Sequence, residues 1–273
     1  MENKEKTTAY ILLFINIAII AAAELTGEGK LFFESGLVHS IAILFIIGVA
    51  MSLFRQYYFA DPIFKKFLNA CLVAFAVFSA SHAFEFFMYR FAGRYEDHVF
   101  AVTINFCLMS ILIMISGSEI FLRAYFGHKR ARFPFLLSNI VIAGIAVFST
   151  LLFFDNVLVS LEPENAAPYL YSLAVLAAAF LLWRRINLLK HSLPQLTGFF
   201  KLLACMVVFV ALSALSYSLY DIIKEFLGMP DYQIVYLSHF IFYIGMSLVF
   251  LAFQRLENVG GGVVDDIKNR EIA

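Results

Sequence analysis

The chain has 273 residues, 62% of them hydrophobic and 15% charged, with a mean hydropathy of +0.84. Soluble domains carry about 45–50% apolar and about 25% charged residues, so this composition excludes an ordinary soluble enzyme or binding domain. Twenty Lys and Arg balance twenty Asp and Glu, which removes any electrostatic case for nucleic acid or for an acidic partner.

Roughly 20 apolar residues at ~1.5 Å rise per residue cross the hydrocarbon of a bilayer. Eight blocks of this kind are predicted as spanning helices. In chain order they are Thr8–Leu25, Gly36–Phe54, Phe67–Tyr89, Val99–Leu122, Pro134–Phe154, Pro168–Trp183, Phe199–Tyr220 and Ile234–Gln254, the sixth being the shortest. A backbone in lipid must satisfy its own hydrogen bonds, and the weak two-residue alternation of a membrane barrel is absent, so the blocks read as helices. The first block follows Lys4 and Lys6 but ends at Glu24, without a small-residue cleavage site, and reads as a retained span. The expected fold class is an all-α polytopic membrane protein with about eight transmembrane helices.

Orientation follows from the basic residues. With the N-terminus in the cytoplasm, sixteen of the twenty Lys and Arg fall inside, among them Arg55, Lys65, Lys66, Arg123, Arg130, Arg184, Arg185 and Arg255. Only Lys30, Arg90, Arg94 and Lys224 fall outside. This bias puts both termini in the cytoplasm, in what reads as a prokaryotic cytoplasmic membrane, and favours an even number of spans.

Block three contains the run Ala70–Ala80 (ACLVAFAVFSA) and block seven the run Ala204–Ala214 (ACMVVFVALSA), with six of eleven positions identical at an offset of 134. The same offset pairs Asp97 with Asp231, and blocks one and five share a Leu-Leu followed by Asn. Chance matching within a restricted apolar alphabet is the competing explanation. A real repeat gives two four-helix halves, residues 1–133 and 134–256, parallel and related by an axis along the membrane normal. A short flexible cytoplasmic tail, residues 257–273, follows through Gly260-Gly261-Gly262. The connection from Asp155 to Ala167 is acidic and external in this topology.

Ionisable groups inside spans cost energy and are therefore default functional candidates. His39, His82, His98 and His239 fall near the outer leaflet. His82 lies seven residues before Tyr89, His239 seven after Tyr232 and His39 seven after Phe32, which puts each roughly 10 Å below the outer surface. Three histidines on three helices at one depth can converge. Glu85 is one turn beyond His82 on the same face.

Three readings of this group stay open. His39, His82 and His239 suit a transition metal or haem b, with Glu85 as ligand or outer partner. Alternatively, His82, Glu85, Glu24 and Asp221 line an outward-facing protonation or ligand pocket. As the bland alternative, each His hydrogen-bonds a neighbouring helix, the commonest role of a lone polar residue in a membrane bundle. Glu119, near the cytoplasmic end of block four, reads as a partner of Arg123 four residues on. Cys71, Cys107 and Cys205 lie inside spans and read as small buried apolar residues, without a disulfide framework or CxxC. No GxGxxG, P-loop, GxSxG or HExxH motif is present.

The segment from Ser81 through His82 and Glu85 to Phe87, and that from Leu237 through Ser238, His239, Tyr243 and Gly245 to Arg255, resemble the multi-spanning membrane sensor domains that precede histidine kinases and diguanylate cyclases in bacteria and archaea. The resemblance covers two of the eight blocks and implies a stimulus-binding role. It departs where such proteins continue into a signalling domain, and it carries over no functional residue. The leading expectation is thus a membrane sensing or ligand-binding module with an outer pocket of His and Glu. A haem- or metal-binding redox subunit or enzyme, and a small transporter, are the alternatives. The expected partners are the lipid bilayer, a protein on the cytoplasmic side and a second copy of the chain.

Overall fold

The computed structural model describes residues 37–57, 62–87, 97–126 and 167–257, with scattered positions among residues 7–30 and residue 144. Block five apart from residue 144, the proposed boundary at residue 133, the acidic connection up to residue 166 and the tail beyond Glu257 lie outside the described residues. Most of block one does too.

Seven α-helices organise the described chain: α1 (Leu37–Tyr57), α2 (Pro62–Phe87), α3 (Asp97–Phe126), α4 (Ala167–Ser192), α5 (Thr197–Ser218), α6 (Tyr220–Leu227) and α7 (Asp231–Glu257). No strand occurs among the described residues. Four helices hold stretches long and apolar enough to cross a bilayer, Phe64–Phe87, Asn105–Ala124, Thr197–Ser216 and Tyr232–Phe253, and Val38–Met51 forms a shorter apolar stretch. The chain is a helical membrane protein. Its outward faces are apolar as well: Leu44 and Met51 of α1 and Leu173 and Phe180 of α4 are exposed. A helix apolar all round belongs in lipid or in a protein core.

The helices end where local chemistry ends them. Pro62, whose missing N–H costs nothing at a helix start, opens α2. A 3₁₀ turn, Pro194–Leu196, joins α4 to α5 with Leu193 and Leu196 buried beneath it. Gly228 closes α6 in the left-handed conformation (φ 62°), its N–H donating to the Lys224 carbonyl at 2.9 Å. Helices α1 to α5 pack in chain order, each against the next, and α7 packs on both α5 and α1, closing a ring around the core.

Two contacts set how close neighbours come. At Gly117 of α3, a Cβ would sit 2.2 Å from Ala70 Cβ of α2, so these backbones touch through small residues. At Gly245 of α7 a Cβ would meet Phe209 Cβ of α5 at 3.2 Å. Near the ends where α2 and α5 begin and α3 and α7 finish, Phe64, Phe67, Phe121, Phe199, Phe200 and Phe253 interlock with ring centroids 5.1–6.2 Å apart. That aromatic layer seals one end of the bundle, and the polar site lies toward the other.

Several details differ from the sequence reading. The sixth block continues as helix past Trp183 to Ser192, so Arg184, Arg185 and Lys190 ride on the last turns of α4 instead of in a loop. Asp221 and Lys224 lie on α6, a separate eight-residue helix within what read as a span end and its loop. Cys205 is exposed, whereas Cys71 and Cys107 are buried. It shares the outward face of α5 with Val208 and Leu212, three and seven residues on, the spacing of one helical face.

Candidate metal centre

Three helices of the ring supply four buried ligand-type side chains. His39 stands in the first turn of α1, His82 and Glu85 in the last turns of α2, and His239 near the start of α7. Because α1 and α7 run from this end and α2 runs toward it, the four meet at one level. His39 and Glu85 are 0% exposed, His239 1% and His82 8%. One ligand atom from each can be chosen so that all lie within 4.8 Å of one another.

Glu85 is the hub. Its Oε2 lies 2.9 Å from His82 Nδ1 and 3.0 Å from His39 Nδ1. His39 Nδ1 is in turn 3.1 Å from His239 Nε2. The remaining ring nitrogen of His239 settles its tautomer: a carbonyl can only accept, so Nδ1–H donates to the Val235 carbonyl at 2.9 Å. In the neutral ring this leaves Nε2 with a lone pair facing the cluster, the arrangement that orients metal-binding imidazoles.

The backbone around the ligands is tied down by hydroxyls. Tyr243 of α7 donates to the Val38 carbonyl of α1 at 2.6 Å, one residue before His39. Tyr236 of α7 donates to the Gly29 carbonyl. With His239 between them at spacings of three and four, both tyrosines share its helix face. Ser238 donates to the Ser213 carbonyl of α5 at 3.0 Å, and the two serine hydroxyls lie 3.1 Å apart. On α2 the His82 ring is 4.9 Å from Phe242 of α7. Two faces therefore converge, α2 through Phe78, Ser81, His82 and Glu85, and α7 through Tyr236, His239 and Tyr243.

A buried carboxylate is tolerable only with compensating charge and hydrogen bonds. The site offers Glu85 two forms of compensation: a proton on a neighbouring imidazole or a cation among the four side chains. Ligands ~2.0–2.1 Å from a tetrahedral ion lie ~3.3 Å from one another, close to the 2.9–3.1 Å separations here. The four ligand atoms spread over as much as 4.8 Å, so admitting an ion would draw the most distant ligand inward as well as ease the closest ones apart.

A second charged cluster sits at the opposite end of the bundle. Glu119 of α3 is 1% exposed. It lies 3.5 Å from Arg123, as the i, i+4 spacing suggested, and 2.7 Å from Arg185 Nη1 of α4. The second and shorter contact had no local signal, because Arg185 comes from another helix. It joins α3 to α4 and reads as structural.

Of the other sequence candidates, Glu24 lies outside the described residues. Asp221 lies on α6 and His98 on α3, but their side chains fall outside the described residues. Comparison with protein families, with curated proteins and with solved structures finds no match to the chain.

Proposed function

We propose that this chain is an integral membrane ligand-binding module whose ligand is a first-row transition-metal ion of the zinc–copper–iron class. The observation that supports it best is the meeting of His39, His82, Glu85 and His239 from three helices, all buried and all with a ligand atom inside a 4.8 Å group. Three imidazoles and one carboxylate are a donor set suited to these borderline dications rather than to Ca²⁺ or Mg²⁺, which take oxygen ligands. Haem fits less well. A bis-His haem needs two imidazoles on opposite faces of a porphyrin, but Glu85 Oε2 stands between His39 and His82. The adjoining cavity is about 40 Å³, far below the ~300 Å³ of the smallest cofactor pockets.

A sensing role is the natural extension of this reading. The ligands bridge α7 to α1, the contact that closes the ring, and α2 to both. Loading or loss of an ion there would bias how those helices pack, and small helix shifts are an established way to pass a signal through a bundle.

The same proposal includes the finer topology. Eight spans with both termini cytoplasmic agree with the basic-residue bias, which puts the histidine cluster near the outer face. The two-fold repeat is supported by helix order. The pairs α1 and α4 (from Leu37 and Ala167), α2 and α5 (from Pro62 and Thr197), and α3 and α7 (from Asp97 and Asp231) begin 130, 135 and 134 residues apart. Each helix also packs on the counterparts of its counterpart's neighbours: α1 on α2 and α7, α4 on α5 and α3.

Elemental analysis of the purified protein tests the ligand. About one ion per chain is expected after loading with Zn²⁺ or Co²⁺, falling severalfold in His82→Ala and in Glu85→Ala. A parent protein that stays metal-free after loading would falsify the proposal.

A further inference from the structure

A cavity of about 40 Å³ opens beside the cluster, and three of the four ligand side chains, His82, Glu85 and His239, line it. The rest of its wall, near the same end of the bundle, adds further polar groups. Ser81 of α2, Thr103 and Cys107 of α3, and Ser213 and Ser238 contribute polar or polarisable groups among apolar neighbours. Two buried oxygens of lining residues, Glu85 Oε1 and Thr103 Oγ1, have no hydrogen-bond partner among the described residues. Glu85 is 0% exposed, and an acceptor left unpaired in the interior carries its full desolvation penalty, larger still when charged. The cavity wall is mostly apolar, but a buried water needs only about 10–15 Å³ of accessible space and two to four polar partners, which Glu85, Thr103 and the serines can supply.

We infer that the cavity holds a water molecule bound to the ion, at a coordination position that the four protein ligands leave open. This rests on the metal reading above and adds what that reading does not contain, an exchangeable ligand and hence a reactive position. Glu85 would bind the ion through the oxygen it now shares with His39 and His82. Its other oxygen is then placed to accept a hydrogen bond from the water, and the Thr103 hydroxyl offers a second partner. Four protein ligands alone would close a tetrahedral zinc site; the water here is a fifth ligand, which the tetragonal geometry favoured by Cu²⁺ accommodates. A bound cation makes such a water far more acidic than bulk water, so the position can give or take a proton within the membrane.

The test is electron paramagnetic resonance of the Cu²⁺-loaded full chain in ¹⁷O-enriched and ordinary water. A coordinated water broadens the copper lines in the enriched solvent. Ala214→Leu, which extends a non-ligand side chain of α5 from the cavity wall, should abolish that broadening while leaving one Cu²⁺ per chain. Identical lines in the two solvents for the parent protein overturn the inference whatever the variant does. So does full broadening in the Ala214→Leu variant, because the water would then lie elsewhere. A chain that takes up no Cu²⁺ overturns the metal reading itself, and with it this one.

Discussion

The Tyr243 hydroxyl of α7 donates a 2.6 Å hydrogen bond to the Val38 carbonyl of α1, the residue before His39. Tyr243 is 1% exposed and shares a helix face with His239. One hydroxyl therefore fixes both the distance between α7 and α1 and the backbone that carries a ligand candidate. Tyr243→Phe keeps the ring and removes only this bond. Stability should fall by about 1 kcal/mol, the net value of a typical intramolecular hydrogen bond. Metal affinity should fall about tenfold, the lower end of what outer partners of a metal site contribute. Chelator competition alongside helical content by circular dichroism separates the two effects. Unchanged affinity would mean that Tyr243 does not position His39.

The close approach of Gly117 and Ala70 leads to a compensation experiment. Gly117→Ala puts a methyl where Ala70 Cβ already stands, 2.2 Å away. The helices α2 and α3 must separate, at a cost of about 1–3 kcal/mol for an overpacked contact. Ala70→Gly in the same chain removes the obstacle and should restore most of the loss, a coupling expected only of residues in contact. Unfolding midpoints in detergent of the two single variants and the double variant measure it. Additive losses would place the strain elsewhere.

Counting residues from the ends of apolar blocks was enough to put His39, His82 and His239 at one depth, because a helix rises by a fixed amount per residue. It could not say which helices are neighbours. In a bundle whose helices are apolar on every face, periodicity does not mark the inward side. The return of α7 onto α1, and with it the approach of His239 to His39 across 200 residues of sequence, therefore had no local signature. The contact of Glu119 with Arg185 was invisible for the same reason, whereas its i, i+4 partner Arg123 was legible. Helix α6 was missed because eight residues are too few for a span: Asp221 read as a pocket residue at the end of block seven and Lys224 as part of an external connection.

The Glu119–Arg185 contact predicts an asymmetry. Glu119→Gln leaves the Arg185 guanidinium, with its side chain 16% exposed, facing a neutral amide at the packed end of the bundle. Removing one member of a buried pair costs about 3–5 kcal/mol, while replacing both by apolar groups of similar volume is often neutral. The partial exposure of Arg185 puts the expected loss at the lower end, about 3 kcal/mol. The double replacement Glu119→Leu with Arg185→Met should recover most of it. Metal stoichiometry should be unchanged throughout, since this pair lies at the other end of the bundle. A single variant as stable as the parent would make the contact dispensable.

Acidification should expel the ion. Its four ligand atoms must be unprotonated to bind, so protons and metal compete for the same lone pairs on His39, His82, Glu85 and His239. The sign is fixed by this competition: apparent affinity rises with pH and falls as pH is lowered, by up to about tenfold per pH unit for each proton displaced. Cys107 lines the adjoining cavity but lies outside the ligand group, so replacing it with Ser should leave the pH profile unaltered. Loading the protein with Zn²⁺ in weak buffer should release protons, measurable with an indicator dye. His239→Asn should reduce the affinity without lowering the number released, because the Nε2 lone pair of His239 already faces the cluster unprotonated while its Nδ1–H is held by the Val235 carbonyl. An affinity independent of pH would mean that the metal binds elsewhere, through oxygen ligands that do not titrate.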